Sequence, residues 1–130
     1  MGWFSRSKGE KEEKKQTGLP WMQLTSVDQM KKAIELSSEK PVLFFKHSTR
    51  CNISAMALNG FQQRWEGTPE DIIIYYLDLI SYRDVSNAIA EETGVTHQSP
   101  QVLVIKNQEV VYVASHSGID PRAALNSIKK

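Results

Sequence analysis

The stretch that decides the fold is residues 41–54, which read PVLFFKHSTRCNIS. Its first part, Pro41 to Phe45, is a continuous apolar run of the kind found in a β-strand that is buried on both faces. Cys51 follows this run and opens a predicted helix that ends at Trp65. Apolar residues recur at intervals of four along that helix and form one packing stripe: Ile53, Ala57, Phe61 and Trp65. The stretch therefore predicts a buried strand that carries a cysteine to the N-terminus of a helix.

The rest of the chain alternates between short strands and helices in the order β-α-β-α-β-α-β-β-α. Further strands are expected over Trp21–Leu24 and Ile72–Leu79, and a hairpin joins Gln101–Lys106 to Glu109–Ser115 across Asn107-Gln108. Further helices are expected after a cap at Thr25 or Ser26, over Val85–Glu92 with a stop at Gly94, and after a cap at Asp120. This alternation predicts an α/β domain in which a mixed sheet of about five strands is flanked by helices on both faces.

Length, charge and residue counts exclude several classes of function. A chain of 130 residues suits one domain, and its net charge of +1 gives no field that favours nucleic acid. No apolar run approaches the roughly 20 residues of a membrane-spanning helix, and no signal peptide is recognisable, so we expect a cytoplasmic protein. The histidines His47, His97 and His116 are too scattered for a zinc site, and no metal is predicted.

The first residues are expected to form a flexible polar tail over 1–18, followed by the folded domain over 19–130. Ser5 to Thr17 is polar throughout and cannot bury a face. The start of the chain resembles a myristoylation signal, but Arg6 occupies the position where that motif has Ser or Thr. Trp3 and Phe4 lie beside basic residues, which leaves contact with a membrane surface as an alternative to a simple free tail.

Cys51 is the only cysteine, so the chain cannot form an internal disulfide. A helix N-terminus stabilises an anion, and the neighbouring Arg50 and His47 add positive charge, so this position favours the reactive thiolate. Ser54 lies one helical turn beyond Cys51, and its hydroxyl is expected to lie over the sulfur. The CxxS sequence thus resembles a dithiol site whose second sulfur has become oxygen. The alternative is that Cys51 is merely a small buried apolar residue.

Two further features are candidates for binding. Ser99-Pro100 comes directly before a predicted buried strand, where a cis peptide bond would turn the backbone groups of Ser99 outward to pair with an extended substrate. A plain proline at the edge of a strand is the alternative. Gly118 and Asp120 precede the last helix, whose free N–H groups could hold a carboxylate, but simple helix capping explains these residues without a ligand and is the favoured interpretation.

Residues 46–57, KHSTRCNISAMA, together with Ser99-Pro100, resemble the YtxJ-like monothiol bacilliredoxin family of the thioredoxin superfamily. The resemblance covers most of residues 19–130. It implies a thioredoxin-like fold, a cis Pro100 that faces Cys51, and exchange chemistry with bacillithiol, the small thiol that some bacteria use in place of glutathione. It assigns Cys51 as the nucleophile, Ser54 as support for its thiolate, and Ser99 with Pro100 as the walls of the substrate groove. The remaining candidates for substrate binding or thiolate tuning are His47, Thr49, Arg50 and Asn52.

The predicted function is that of a monothiol oxidoreductase that removes bacillithiol from protein mixed disulfides. Bacillithiol is then a co-substrate, the clients are bacillithiolated proteins, no cofactor is tightly bound, and the enzyme is a monomer. One alternative is an iron-sulfur carrier of the monothiol glutaredoxin type, although that family favours Cys-Gly-Phe-Ser where this chain has the bulkier Asn52 and Ile53. The other alternative is a thioredoxin-fold module that binds a partner without catalysis. Asn52 also departs from many bacilliredoxins, which have proline at that position.

Overall fold

The computed structural model describes residues 18–129. Nearly all of the predicted tail therefore lies outside the described residues, as does Lys130. Within the described part, no helix is both long enough and apolar enough to cross a membrane.

The sheet has five strands: β1 (Met22–Gln23), β2 (Val42–His47), β3 (Ile73–Asp78), β4 (Gln101–Lys106) and β5 (Glu109–Ser115). Their order across the sheet is β1-β3-β2-β4-β5. The β1–β3 and β2–β3 pairs are parallel, whereas β2–β4 and β4–β5 are antiparallel. The sheet is therefore mixed, as the sequence predicted, and β2 lies at its centre.

Within residues 18–129, three α-helices connect the strands: α1 (Val27–Leu36), α2 (Asn52–Arg64) and α3 (Arg83–Thr93). A 3₁₀ helix (His116–Gly118) and α4 (Pro121–Ser127) follow β5. Ser26 caps α1 through its side chain, which accepts a hydrogen bond from the Gln29 N–H. Gly94 ends α3 with a φ of 74°, the left-handed conformation that glycine adopts at little cost. The local signals in the sequence thus explain where these helices begin and end.

Each face of the sheet carries its own apolar core because side chains alternate along the strands. Phe44 and Leu77 belong to the core beneath α1 and α3, together with Met30 and Ile89 of those helices. The opposite core, beneath α2 and α4, includes Phe45, Phe61 and Ala124 among its buried residues. Along β2 this alternation places Lys46 on the α1/α3 side and His47 on the α2/α4 side.

Two details of the strand–helix segment differ from the sequence prediction. Strand β2 continues to His47, two residues beyond the apolar run, and both Lys46 and His47 are buried. The predicted packing stripe of α2 was wrong at its first residue, since Ile53 is 60% exposed while Phe61 is fully buried. The physical reason is that Ser54, which is fully buried against His47, faces the sheet in the first turn of α2, so the adjacent Ile53 faces solvent.

One edge of the sheet collects the segments that the sequence singled out. Lys46, near the end of β2, pairs with Gln101 at the start of the antiparallel β4, and Gln101 pairs with Ser115 at the end of β5. The chain therefore leaves β2 toward Cys51, enters β4 from Pro100, and leaves β5 toward Gly118 at the same edge. All three segments border the N-terminus of α2, and this common edge defines the candidate site.

Candidate active site

Cys51 is the N-cap residue of α2. Its backbone is extended, with φ −119° and ψ 122°, and its carbonyl accepts the first helical hydrogen bond from the Ala55 N–H at 3.0 Å. The Cys51 N–H in turn donates to the Ser48 carbonyl at 3.2 Å, which holds the turn between strand and helix. The thiol is free and partly exposed. A thiolate at an N-cap lies near the unpaired N–H groups of the first turn and the positive end of the helix dipole.

Ser54 is buried one turn into α2, and its hydroxyl is held from the strand side. The Ser48 N–H donates to Ser54 Oγ at 3.1 Å, and His47 Nδ1 lies 2.8 Å from the same oxygen. Among the residues that the structure describes, Ser54 makes no hydrogen bond to Cys51. Ser54 instead serves the half-buried Ser48 N–H and the His47 ring, and the expectation that its hydroxyl lies over the sulfur stays a prediction.

His47 lies under the start of α2 and is only 6% exposed. Burial lowers the pKa of the His47 imidazole below its usual value of 6.5, and the nearby Asp78 carboxylate offsets part of that effect. The ring also contacts Tyr76, with the ring centroids 5.7 Å apart. A neutral His47 can share a hydrogen bond with Ser54 in either direction, depending on which ring nitrogen carries the proton.

Thr49, Arg50 and Asn52 surround Cys51 on the solvent side, and all three are exposed. The structure places them beside the thiol, where a substrate would approach, rather than beneath it. Their exposed side chains are free to contact an incoming disulfide.

The Ser99–Pro100 peptide bond is cis, and Pro100 is buried at the start of β4. The Pro100 carbonyl accepts a hydrogen bond from the His116 N–H at 3.0 Å, which ties this segment to the 3₁₀ helix. Ser99 Oγ is buried and has no hydrogen-bond partner among the described residues. The segment thus lies at the same edge as Cys51, on the neighbouring strand.

Gly118 ends the 3₁₀ helix, and Asp120 caps α4. Asp120 Oδ1 accepts a hydrogen bond from the Arg122 N–H at 3.0 Å and lies 4.0 Å from Arg64 Nη1. The Tyr112 hydroxyl also accepts from the Asp120 N–H at 3.1 Å. These contacts occupy Asp120 with helix capping, the simpler of the two interpretations of the sequence.

Sequence reasoning missed one buried polar group near the site. Lys46 is fully buried, and its ammonium group lies 3.4 Å from His97 Nδ1. The strand alternation that buries Phe44 also buries Lys46, which was the available signal. In the part of the chain that the structure describes, no group of three or more His, Cys, Asp or Glu side chains could hold a metal ion.

A central mixed sheet with helices on both faces, and a lone cysteine at the N-cap after its central strand, defines a thioredoxin-fold protein of the oxidoreductase class. Sequence comparison then gives the family: the family model of the monothiol bacilliredoxin BrxC matches residues 22–124. The chain belongs to the monothiol bacilliredoxin family, as its sequence resemblance indicated.

Solved structures agree with this assignment. A provisionally assigned oxidoreductase with a thioredoxin fold is 34% identical, with a TM-score of 0.68 over 84% of this chain and 93% of that one. Thioredoxin from Malassezia sympodialis is 22% identical, with a TM-score of 0.61 over 84% of this chain and 88% of its own. Thioredoxin from Schistosoma mansoni is 17% identical, with a TM-score of 0.58 over 84% and 93%. The two thioredoxins show the fold alone.

Proposed function

We propose that the protein is a monothiol oxidoreductase that removes bacillithiol from protein mixed disulfides through Cys51. The observation that carries this proposal is the pairing of a partly exposed thiol at the N-cap of α2 with a serine, Ser54, at the position one turn on. A dithiol enzyme would use a sulfur at that position to release its own mixed disulfide. Here a second thiol must come from another molecule, and membership of the bacilliredoxin family supports bacillithiol as that molecule.

In the first step, the Cys51 thiolate attacks the bacillithiol sulfur of a mixed disulfide on a client protein. The new bond joins Cys51 Sγ to bacillithiol, and the bond between bacillithiol and the client breaks. The client sulfur leaves with the electron pair and takes a proton from solvent to become a thiol. The helix N-terminus and the nearby Arg50 favour the attacking thiolate.

In the second step, the thiolate of a free bacillithiol attacks the bacillithiol sulfur bound to Cys51. This yields bacillithiol disulfide and restores the Cys51 thiolate. Overall, the client sulfur is reduced to a thiol, and the one free bacillithiol is oxidised as its sulfur joins the transferred bacillithiol in the disulfide. Bacillithiol is thus a co-substrate, and the cycle requires no tightly bound cofactor.

Exposed apolar side chains beside the thiol support a protein as the client. Ile53 is 60% exposed and Met56 is 72% exposed, and both lie on the first two turns of α2. Large exposed apolar residues near a reactive group favour contact with another protein over contact with a small polar molecule alone. The Ser99-Pro100 segment at the same edge offers backbone groups for an extended client chain. We place this activity in the cytoplasm and assign it to a monomer.

The test is release of bacillithiol from a bacillithiolated client protein, followed by the return of the client's free thiol. The wild-type protein with free bacillithiol should restore the thiol in many turnovers, and Cys51→Ser should restore none while its circular dichroism spectrum is unchanged. Release by Cys51→Ser at the wild-type rate would overturn the proposal. A coloured, dimeric preparation in which Cys51 is inert would instead favour an iron-sulfur carrier. A colourless protein in which Cys51 is inert would favour a binding module.

A further inference from the structure

The buried Lys46 contacts the segment that leads to Ser99-Pro100, on the sheet face opposite His47 and Ser54. We propose that Lys46, acting through His97, is a positioning residue that holds this segment against the sheet and so sets the substrate groove beside Cys51. This inference rests on the proposed function for its effect on exchange. The contact itself and its effect on the segment are independent of that function.

Lys46 is the anchor on the strand side. Its side chain is fully buried, and Nζ donates to the Ser86 carbonyl of α3 at 3.4 Å and to His97 Nδ1 at 3.4 Å. His97 lies in the segment between α3 and β4, two residues before Ser99. The central strand is thus joined by one side chain to the chain that enters β4.

Two neighbouring contacts hold the same segment. Ser86 Oγ lies 3.2 Å from His97 Nδ1, and Gln101 Nε2 donates to the Thr96 carbonyl at 3.0 Å. Gln101 is the register partner of Lys46 across β2 and β4. Side chains from β2, α3 and β4 therefore hold two successive residues, Thr96 and His97, from three directions.

Lys46 carries the positive charge of this cluster, because it is largely protonated and His97 is neutral. Burial lowers the pKa of Lys46 to about 8, so it is largely protonated at neutral pH, and none of the described carboxylates pairs with it. Burial, Lys46 and Arg83 together lower the pKa of His97, so its ring is neutral. The other side chains that face Lys46 from the sheet, Leu77 and Gln101, do not ionise.

This charge pattern assigns the proton on the His97 ring. An ammonium group has donors only, so His97 Nδ1 must accept from Lys46, and the ring proton resides on Nε2. A donor that carries a charge makes a stronger hydrogen bond than a neutral one, and burial strengthens it further. Loss of Lys46 therefore releases His97 from β2 and leaves Ser86 as the side-chain partner of the ring.

Loss of Lys46 should impair exchange with a client protein but spare the intrinsic reactivity of Cys51, because Lys46 holds the groove and does not contact the thiol. Lys46→Met replaces the ammonium by an apolar group of similar length and leaves the opposite sheet face, with His47 and Ser54, untouched. The reaction of Cys51 with a small alkylating agent should then stay within about twofold of wild type. The kcat/KM for a bacillithiolated protein should fall roughly tenfold, mainly through KM, since one charge-assisted hydrogen bond that positions the groove is lost.

The experiment compares wild type, Lys46→Met, His97→Ala and the control Lys32→Met, which changes an exposed lysine on α1. Three quantities are measured: amide hydrogen exchange over residues 95–99, the His97 titration by NMR, and exchange kinetics. In Lys46→Met we expect about tenfold faster amide exchange in that segment only, and a His97 midpoint at higher pH because a neighbouring cation is gone. His97→Ala should show the same faster amide exchange. This variant removes the other partner of the contact, so it tests the proposal even if Lys46→Met does not fold.

Wild-type amide exchange over residues 95–99 in both variants, or an unmoved His97 midpoint in Lys46→Met, would overturn the proposal. An equal loss of client exchange and of Cys51 alkylation would also overturn it, since that result indicates general damage to the fold. If wild type itself shows no exchange with a client, the proposed function fails, and the amide and His97 measurements still decide whether Lys46 holds the segment.

Discussion

Ser54 Oγ lies 2.8 Å from His47 Nδ1, and this buried contact joins the first turn of α2 to the last residue of β2. The same oxygen accepts the Ser48 N–H at 3.1 Å. Ser54 thus occupies the position of a resolving thiol in sequence, but in structure it fastens the turn that presents Cys51. The serine affects Cys51 through the backbone geometry of residues 48–54.

Replacement of Ser54 by alanine should both destabilise the protein and slow exchange. The substitution leaves the Ser48 N–H and the His47 ring without a buried partner, which costs about 1–3 kcal/mol in the free energy of unfolding. The turn before Cys51 loosens, and attack on a mixed disulfide slows. Chemical denaturation and stopped-flow exchange measure the two effects, with the exposed Ser117→Ala as the control. Unchanged stability and rate in Ser54→Ala would show that these contacts do not support the site.

The fold was predictable because its boundaries depend on local signals. Asn107 and Gln108 form the two-residue hairpin turn with φ of 54° and 64°, and Asp120 caps α4 as its position before Pro121 indicates. These features depend on a few adjacent residues, which a single sequence contains. Hydrophobic periodicity then assigns most of the buried residues to the correct face.

The site was predictable only in part because its contacts join distant residues. Periodicity indicates that Lys46 is buried, but its partner His97 is 51 positions away and is fixed only by the packing of α3 on the sheet. Ser54 is seven positions from His47, and the spacing of Cys51 and Ser54 gives no sign of that bond. Ile53 fits the apolar stripe of α2 by its spacing, yet Ser54 faces the sheet in that turn and Ile53 is exposed.

Arg50→Glu should slow the reaction of Cys51 with a neutral alkylating agent. Arg50 is exposed and adjoins Cys51 in sequence, so reversal of its charge should lower the rate by up to roughly fivefold, the factor that corresponds to about 1 kcal/mol from an exposed charge. Salt screens such charges, so the difference from wild type should shrink as ionic strength rises. Arg122→Glu, an exposed change on α4, serves as the control and should react as wild type does. A rate for Arg50→Glu equal to wild type at low salt would contradict the role of this charge.

The protein should lose stability in acid through its buried histidines. Burial lowers the pKa of His47 below 6.5, so below that pH the unfolded chain binds a proton more readily than the folded protein. The contribution is fully present above pH 6.5 and is lost as the pH falls through the folded pKa. Urea unfolding between pH 7.5 and about 4.5 should show this decline, and His47→Asn should reduce it.

His97 contributes to the same decline because burial and neighbouring cations lower its pKa as well. The exposed His116, whose φ of 53° asparagine tolerates, provides the matched control. His116→Asn should retain the whole acid dependence. An identical slope in His47→Asn and wild type would contradict the assignment to His47.

Lys46 should make the free energy of unfolding depend on pH in the alkaline range. Its pKa is about 8 in the folded protein and 10.5 in the unfolded chain, so the unfolded chain binds more protons between these values. Stability should therefore rise with pH over that interval, by about 3 kcal/mol for a shift of this size. The difference in unfolding free energy between wild type and Lys46→Met, measured from pH 7.5 to about 10, isolates this contribution. A constant difference over the range would contradict a buried ammonium group that has no carboxylate partner.

The most direct test of the central claim is the intact mass of the protein after exposure to bacillithiol disulfide and, separately, to glutathione disulfide. Cys51→Ser is the control. A monothiol cycle predicts rapid gain of one bacillithiol on wild type, removal of that adduct by free bacillithiol, slower reaction with glutathione disulfide, and no adduct on Cys51→Ser. No adduct on wild type with either disulfide would contradict the cycle and leave a partner-binding module as the explanation of the fold.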